Sequence, residues 1–135
     1  MESKAILCVD DEPIILLSLK ATLAREFKGE YLVTTAIDAE SAMAAIDDLG
    51  SMGVDVALIL TDWLMPGLKG DEFLAAVHAK HPAIPSIMVT GQAEDSCIER
   101  AKRECGLFSC VRKPWNSVSL LKAVRECIAT APLSA

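Results

Sequence analysis

The chain has 135 residues, 52% of them hydrophobic but only 4% aromatic, and a formal net charge of -6. That length holds one domain of ordinary size rather than two, and an acidic balance with no block of Lys or Arg speaks against nonspecific nucleic-acid binding, which rests on phosphate neutralisation. No apolar run reaches the roughly 18–20 residues that span a bilayer, and Met1–Ala5 does not read as the start of a signal peptide, so a cytoplasmic protein without membrane insertion is expected.

Short apolar runs alternate with segments of helical period. AILCVD (Ala5–Asp10) reads as a strand, and Pro13 suits the first turn of a helix running to about Lys28. YLVTTA (Tyr31–Ala36) is the second strand; Asp38 then caps a helix through Leu49, which Gly50 ends. VDVALIL (Val54–Leu60) has no polar alternation after Asp55, as a strand covered on both faces requires. IPSIMVT (Ile84–Thr90) and LFSCV (Leu107–Val111) follow the third and fourth helices, and a last helix runs from about Asn116 to Ala129.

Five β-α units in succession imply a single doubly wound α/β domain with a parallel five-stranded sheet and right-handed crossovers. The domain is expected to fill residues 1–131, with 132–135 a loose tail. Cys8, Cys97, Cys105, Cys110 and Cys127 form no Cys-x-x-Cys pair and have no His at zinc spacing, so they read as small buried apolar residues in a reducing compartment.

In doubly wound sheets the ligand site lies beyond the carboxyl ends of the strands. The first strand ends in Asp10 and Asp11, the third in Asp62, the fourth in Thr90, and the fifth in Arg-Lys-Pro with Lys113. An acid after a strand is often only a helix cap, but capping does not account for all five arriving together. Two unit charges about 4 Å apart repel by roughly 4 kcal/mol at an effective dielectric near 20, so three acids need a cation. All-oxygen ligands at a solvent-facing crevice suit Mg²⁺. A carboxylate beside that ion can attack phosphorus, with the metal, Lys113 and the Thr90 hydroxyl left to stabilise the three equatorial oxygens.

The segments CVDDEP, LILTDWLMPGLKG, IMVTGQ and CVRKPW, in order and over essentially the whole chain, resemble the receiver domains of two-component response regulators, the CheY-like proteins. The resemblance implies a flavodoxin-like (βα)5 fold with strand order 2-1-3-4-5. It implies that Asp62 accepts a phosphoryl group from a sensor histidine kinase or a histidine phosphotransfer domain. Asp11, Asp62 and the Leu64 main-chain carbonyl would bind Mg²⁺ directly and Asp10 mostly through water; Thr90 would swing toward the phosphate and Lys113 pair with it. It also implies a cis Lys113–Pro114 peptide, which an X-Pro bond adopts at little cost. The result would be a Mg²⁺-dependent switch that catalyses its own phosphorylation and slow hydrolysis rather than a conventional enzyme.

The chain departs from the family at three positions. Cys110 stands where many receivers carry Tyr or Phe, and reads as filling a small slot, which puts the usual aromatic readout in doubt. Leu64 and Gln92 occupy positions that tune phosphate lifetime; Leu64 cannot orient an attacking water, so a long-lived phosphoryl group is expected.

On the first helix, Leu16, Leu19, Leu23 and Phe27 form the core stripe, while Ile14, Leu17, Ala21 and Ala24 line nearly the opposite side. Either the fifth helix or end residues cover that second side, or it docks the phosphodonor. His78 and His81 read as helix-end cations or solvated groups, and Trp63 and Trp115 as packing beside the site. Nothing in 135 residues resembles an effector module, so a receiver acting alone on an unknown downstream effector is expected. The competing readings are a receiver excised from a longer regulator (cyclic-di-GMP phosphodiesterase-linked or hybrid kinase), a phosphorylation-independent binding module, and a small Mg²⁺ phosphohydrolase. The last normally carries a second acid where Leu64 stands.

Overall fold

The computed structural model describes residues 3–63, 65, 67–91 and 95–130. Ten elements alternate: β1 (Ser3–Val9), α1 (Pro13–Phe27), β2 (Leu32–Ala36), α2 (Ala39–Ser51), β3 (Val54–Thr61), α3 (Gly70–Lys80), β4 (Ser86–Thr90), α4 (Asp95–Glu104), β5 (Leu107–Arg112) and α5 (Ser117–Thr130). The strands pair in parallel in the order β2-β1-β3-β4-β5. The fold is therefore the flavodoxin-like (βα)5 arrangement. Helices cover both faces of the sheet, and its inner strands β1 and β4 are buried on both sides: Ala5–Cys8 are each 0% exposed, and all five residues of β4 are buried.

Alternate residues feed two cores. Leu7, Val9, Ile59 and Met88 meet α2, α3 and α4 through Ile46, Phe73, Leu74 and Ile98. Ile6, Cys8, Leu58, Leu60, Ile87 and Val89 meet α1 and α5 through Leu16, Leu19, Leu23, Leu120 and Val124. Fully burying one such side chain contributes about 1.5–3 kcal/mol, so the sheet is fixed far more firmly than the loops at its ends.

The boundaries follow local chemistry. Pro13 opens α1, and Lys28 closes it in the left-handed region (φ 46°), its N–H donating to Ala24 O at 2.9 Å. Asp38 caps α2, accepting from Ser41 N at 2.7 Å. Asn116 caps α5, accepting from Val118 N at 2.8 Å.

β1 is Ser3–Val9 rather than Ala5–Asp10, β3 and β5 each run one residue further than expected, and three other ends move for a visible local reason. Gly50 does not end α2, which continues to Ser51; the Met52 N–H satisfies the Asp48 and Leu49 carbonyls and the left-handed residue comes later, at Gly53 (φ 75°). β2 begins at Leu32 rather than Tyr31, whose ring packs edge-on against Phe27 with centroids 5.1 Å apart. β4 begins at Ser86 rather than Ile84, because Pro85 has no N–H for a ladder and the Ile84 N–H bonds to His81 O instead. The tail, residues 132–135, lies outside the described residues.

Candidate functional site

In this strand order the chain leaves β1 toward β2 on one side and enters β3 on the other, so a crevice opens beyond the adjacent ends of β1 and β3. Asp10 and Asp11 follow β1, and Asp62 follows β3. Backbone bonds hold both ends: Asp10 N donates to Ala36 O at 3.1 Å and Asp62 N to Val9 O at 2.9 Å. Asp10 and Asp62 are 1% and 6% exposed, whereas Asp11 faces solvent. One carboxylate oxygen from each of the three lies within 4.8 Å of the others.

Lys113, beyond β5, reaches into this cluster. Its Nζ lies 2.7 Å from Asp10 Oδ2, 3.2 Å from Asp62 Oδ2 and 3.9 Å from Glu12 Oε1. Thr90, buried at the end of β4, is tied to the same corner by its carbonyl, which accepts from Lys113 N at 3.3 Å. The Lys113–Pro114 peptide is cis, as the resemblance implied.

Burial pushes Asp10 above the ordinary carboxylate range and Asp62's charge adds to that, against the hydrogen bonds from Lys113 and the Glu12 backbone and the charge of Lys113. For Lys113, burial pulls downward, but the hydrogen bond to Asp10 and the charges of Asp10 and Asp62 outweigh it and hold the ammonium above its usual range. One ammonium against Asp10, Asp11, Asp62 and Glu12 leaves an excess of negative charge at the mouth. Clustered carboxylate oxygens suit a hard divalent cation, so the described residues fit Mg²⁺.

The loop after β3 fixes the direction of Asp62. Trp63 N donates to Asp62 Oδ1 at 2.7 Å, leaving Oδ2 toward Lys113. The loop then folds back on itself, with Gly70 N donating to Trp63 O at 2.6 Å. A Cβ at position 70 would lie 2.2 Å from the Asp62 carbonyl oxygen and 2.7 Å from Trp63 Cα, so only glycine allows this approach.

Leu64, expected as a metal ligand and lifetime residue, and Gln92, the other lifetime residue, lie outside the described residues. Cys110 is half-buried beside Met88 and packs against the core under α3 and α4. Ile14 and Leu17 are 73% and 69% exposed, and Ala21 and Ala24 are exposed on the same helix, so α5 leaves that side uncovered. Trp115 packs on the core between α1 and α5.

Two aromatic residues differ from expectation. His78 does stand in the last turn of α3, but its ring is half-buried rather than solvated: Nδ1 is buried without a hydrogen-bond partner, and it lies so close to Gly106 that a Cβ there would come within 3.3 Å. Trp63 does more than pack, since its Nε1 donates to Asp71 Oδ1 at 3.1 Å. Asp71, Arg100 and Gly70 went unread in the sequence. An acid in a helix's first turn looks like ordinary dipole compensation, and the one local signal at Gly70 was a glycine at a helix start.

The sequence matches the family model of the response regulator receiver domain over residues 6–125. It is 33% identical over 123 residues to the hydrogenase transcriptional regulatory protein HoxA of Cupriavidus necator, covering 91% of this chain and 24% of that protein. It is 30% identical to the nitrogen assimilation regulatory protein NtrX of Azorhizobium caulinodans, covering 95% of this chain and 27% of that one. The chain thus spans about a quarter of the length of these relatives. Among solved structures, the CheY-like receiver domain protein of Methanospirillum hungatei superposes with a TM-score of 0.81 at 32% identity, over 96% of this chain and 95% of that one. With the family pattern running through the strand ends that build the crevice, the chain belongs to the receiver domains of response regulators.

Proposed function

We propose that this receiver is a Mg²⁺-dependent phosphorylation switch with Asp62 as its phosphoacceptor. The observation that carries the reading is the convergence of Asp10, Asp11 and Asp62 within 4.8 Å with Lys113 Nζ 3.2 Å from Asp62 Oδ2. Mg²⁺ held by the three carboxylates would neutralise charge on the phosphoryl oxygens. Asp62 supplies the nucleophile: a carboxylate oxygen forms a bond to phosphorus as the bond from phosphorus to the donor's imidazole nitrogen breaks, and that nitrogen leaves with the electron pair and takes a proton. Lys113, already charged and drawn in by Asp10, pairs with the phosphoryl group without reorganising at the moment of transfer. Thr90, at the end of β4, offers its hydroxyl to a remaining oxygen.

The donor would be a histidine kinase or histidine phosphotransfer domain docking on α1. Ile14 and Leu17 support this, since they stand exposed near an open groove of about 550 Å³ whose lining includes Ile15, Thr22, Lys113 and Trp115. An effector, separate or joined to the receiver in a longer regulator, would read the switch. The test is phosphoramidate with Mg²⁺, followed by intact mass. Wild type should gain one phosphoryl group and Asp62→Asn none; a wild type that gains nothing would move the assignment to a phosphorylation-independent binding module.

A further inference from the structure

Asp71 is a buried carboxylate that phosphoryl transfer at Asp62 does not itself use. It stands in the first turn of α3, where the helix dipole favours an acid, yet its two oxygens are taken by groups from elsewhere. Trp63 Nε1, in the β3–α3 loop, donates to Oδ1 at 3.1 Å, and Arg100 Nη2, on α4, lies 2.6 Å from Oδ2. The Asp71 side chain is 8% exposed and that of Arg100 53%. Trp63 directly follows Asp62, and its backbone N–H donates to Asp62 Oδ1 at 2.7 Å. Lys69 Nζ sits 5.1 Å over the Trp63 ring, so the indole is held at its face and at its N–H. A continuous line therefore runs from an oxygen of Asp62 through Trp63 and Asp71 to α4.

We propose that Asp71 is a positioning residue for Asp62, acting through Trp63, and that Arg100 makes this positioning answer to where α4 lies. The inference rests on Asp62 being the phosphoacceptor. A dipole-compensating acid needs neither partner, whereas here one rigid carboxylate is shared between an indole and a guanidinium. If the carboxylate turns to follow one partner, it loosens its bond to the other. Phosphorylation converts Asp62 from a carboxylate to an acyl phosphate, removing the charge that strengthens its bond from the Trp63 N–H. The loop end of the line is then released, and Asp71 passes the change to Arg100. By linkage, whatever holds or moves α4 must alter the energetics of phosphorylation in return.

Spatial contiguity is not coupling, so the test measures coupling directly. Wild type, Asp71→Asn and Arg100→Met are treated with phosphoramidate and Mg²⁺, following the phosphorylation rate by intact mass and amide hydrogen exchange of residues 98–104 before and after. Asp71→Asn keeps the shape but weakens both bonds: a neutral amide oxygen is a poorer acceptor for the Trp63 Nε1–H than a carboxylate, and the charge that holds Arg100 is gone. It should react roughly three- to tenfold more slowly at saturating donor, with the Mg²⁺ midpoint unchanged within about twofold. Arg100→Met leaves the Trp63–Asp71 bond intact and alters an exposed side chain, so it should fold normally and still accept phosphate. It should lose the exchange change in 98–104 that phosphorylation produces in wild type. Asp71→Asn at the wild-type rate, or an α4 exchange change that survives in Arg100→Met, would overturn the inference alone. A wild-type chain that takes no phosphate would overturn the reading of Asp62 and this inference with it.

Discussion

Gly70→Ala is the sharpest test of how the acceptor is held, because the added atom has a known address. A Cβ there would lie 2.2 Å from the Asp62 carbonyl oxygen and 2.7 Å from Trp63 Cα. Comfortable nonbonded approach is about 3.5 Å or more, so the shortfall is roughly 1 Å. Both neighbours are backbone atoms of the acceptor loop and cannot rotate aside as a side chain would. The loop itself must move, and with it the Gly70 N to Trp63 O bond and the Trp63 N–H that fixes Asp62 Oδ1. Overpacking of this kind costs about 1–3 kcal/mol, which for a domain this size lowers the melting temperature by about 3–10 °C. Misplacing a reacting group by about 1 Å can slow its reaction roughly a hundredfold. The phosphorylation rate with phosphoramidate and Mg²⁺, read by intact mass, should therefore fall far more than the stability loss would suggest. A Gly70→Ala protein that reacts within about threefold of wild type and melts at the same temperature would refute the argument.

Three further outcomes are expected. Mg²⁺ at about a hundred times its Kd should stabilise the wild type by about 2.7 kcal/mol in urea titrations; Asp11→Ala should lose most of that gain, and an equal gain in both would remove Asp11 from the site. Leu17→Lys should weaken phosphotransfer from a cognate histidine donor roughly tenfold or more, as truncating an interface anchor does, while its phosphoramidate rate stays at the wild-type value; unchanged phosphotransfer would clear α1 of a docking role. Burial pushes the Cys8 thiol from 9.0 up to about 12 and that of Cys127 to about 11. Because the folded thiols keep protons that the unfolded chain releases, this contribution is fully present below pH 9.0 and is lost as pH rises toward 11 and 12. Iodoacetamide at pH 8 should accordingly leave both unlabelled until urea is added; rapid labelling of the native protein would contradict their burial.

The alternation of buried strand and amphipathic helix was legible because each signal is local. β1 and β4 are covered on both faces and so lack polar alternation, Pro13 and Asp38 carry the chemistry of helix starts, and Asp10, Asp11, Asp62, Thr90 and Lys113 each sit where a strand runs out. Element ends were less legible where a neighbour decides them, as the Phe27 ring does for Tyr31 and the Met52 N–H for Gly50. Trp63 looked like packing and His78 like a solvated helix-end group because what another element brings against a side chain, Asp71 for the indole and Gly106 for the imidazole, leaves no trace in its own segment.

By itself, then, the sequence determined the (βα)5 succession and the list of groups standing at the strand ends, since backbone burial and capping depend on residues within a few positions of one another. Strand order came from family resemblance, not from spacing. Tertiary structure alone decided that Lys113 lies 2.7 Å from Asp10, 103 positions away, and that Arg100 meets Asp71 across 29. It also decided that Gly70 must be glycine, because what forbids a Cβ there is the backbone of Asp62 and Trp63 folded back against it.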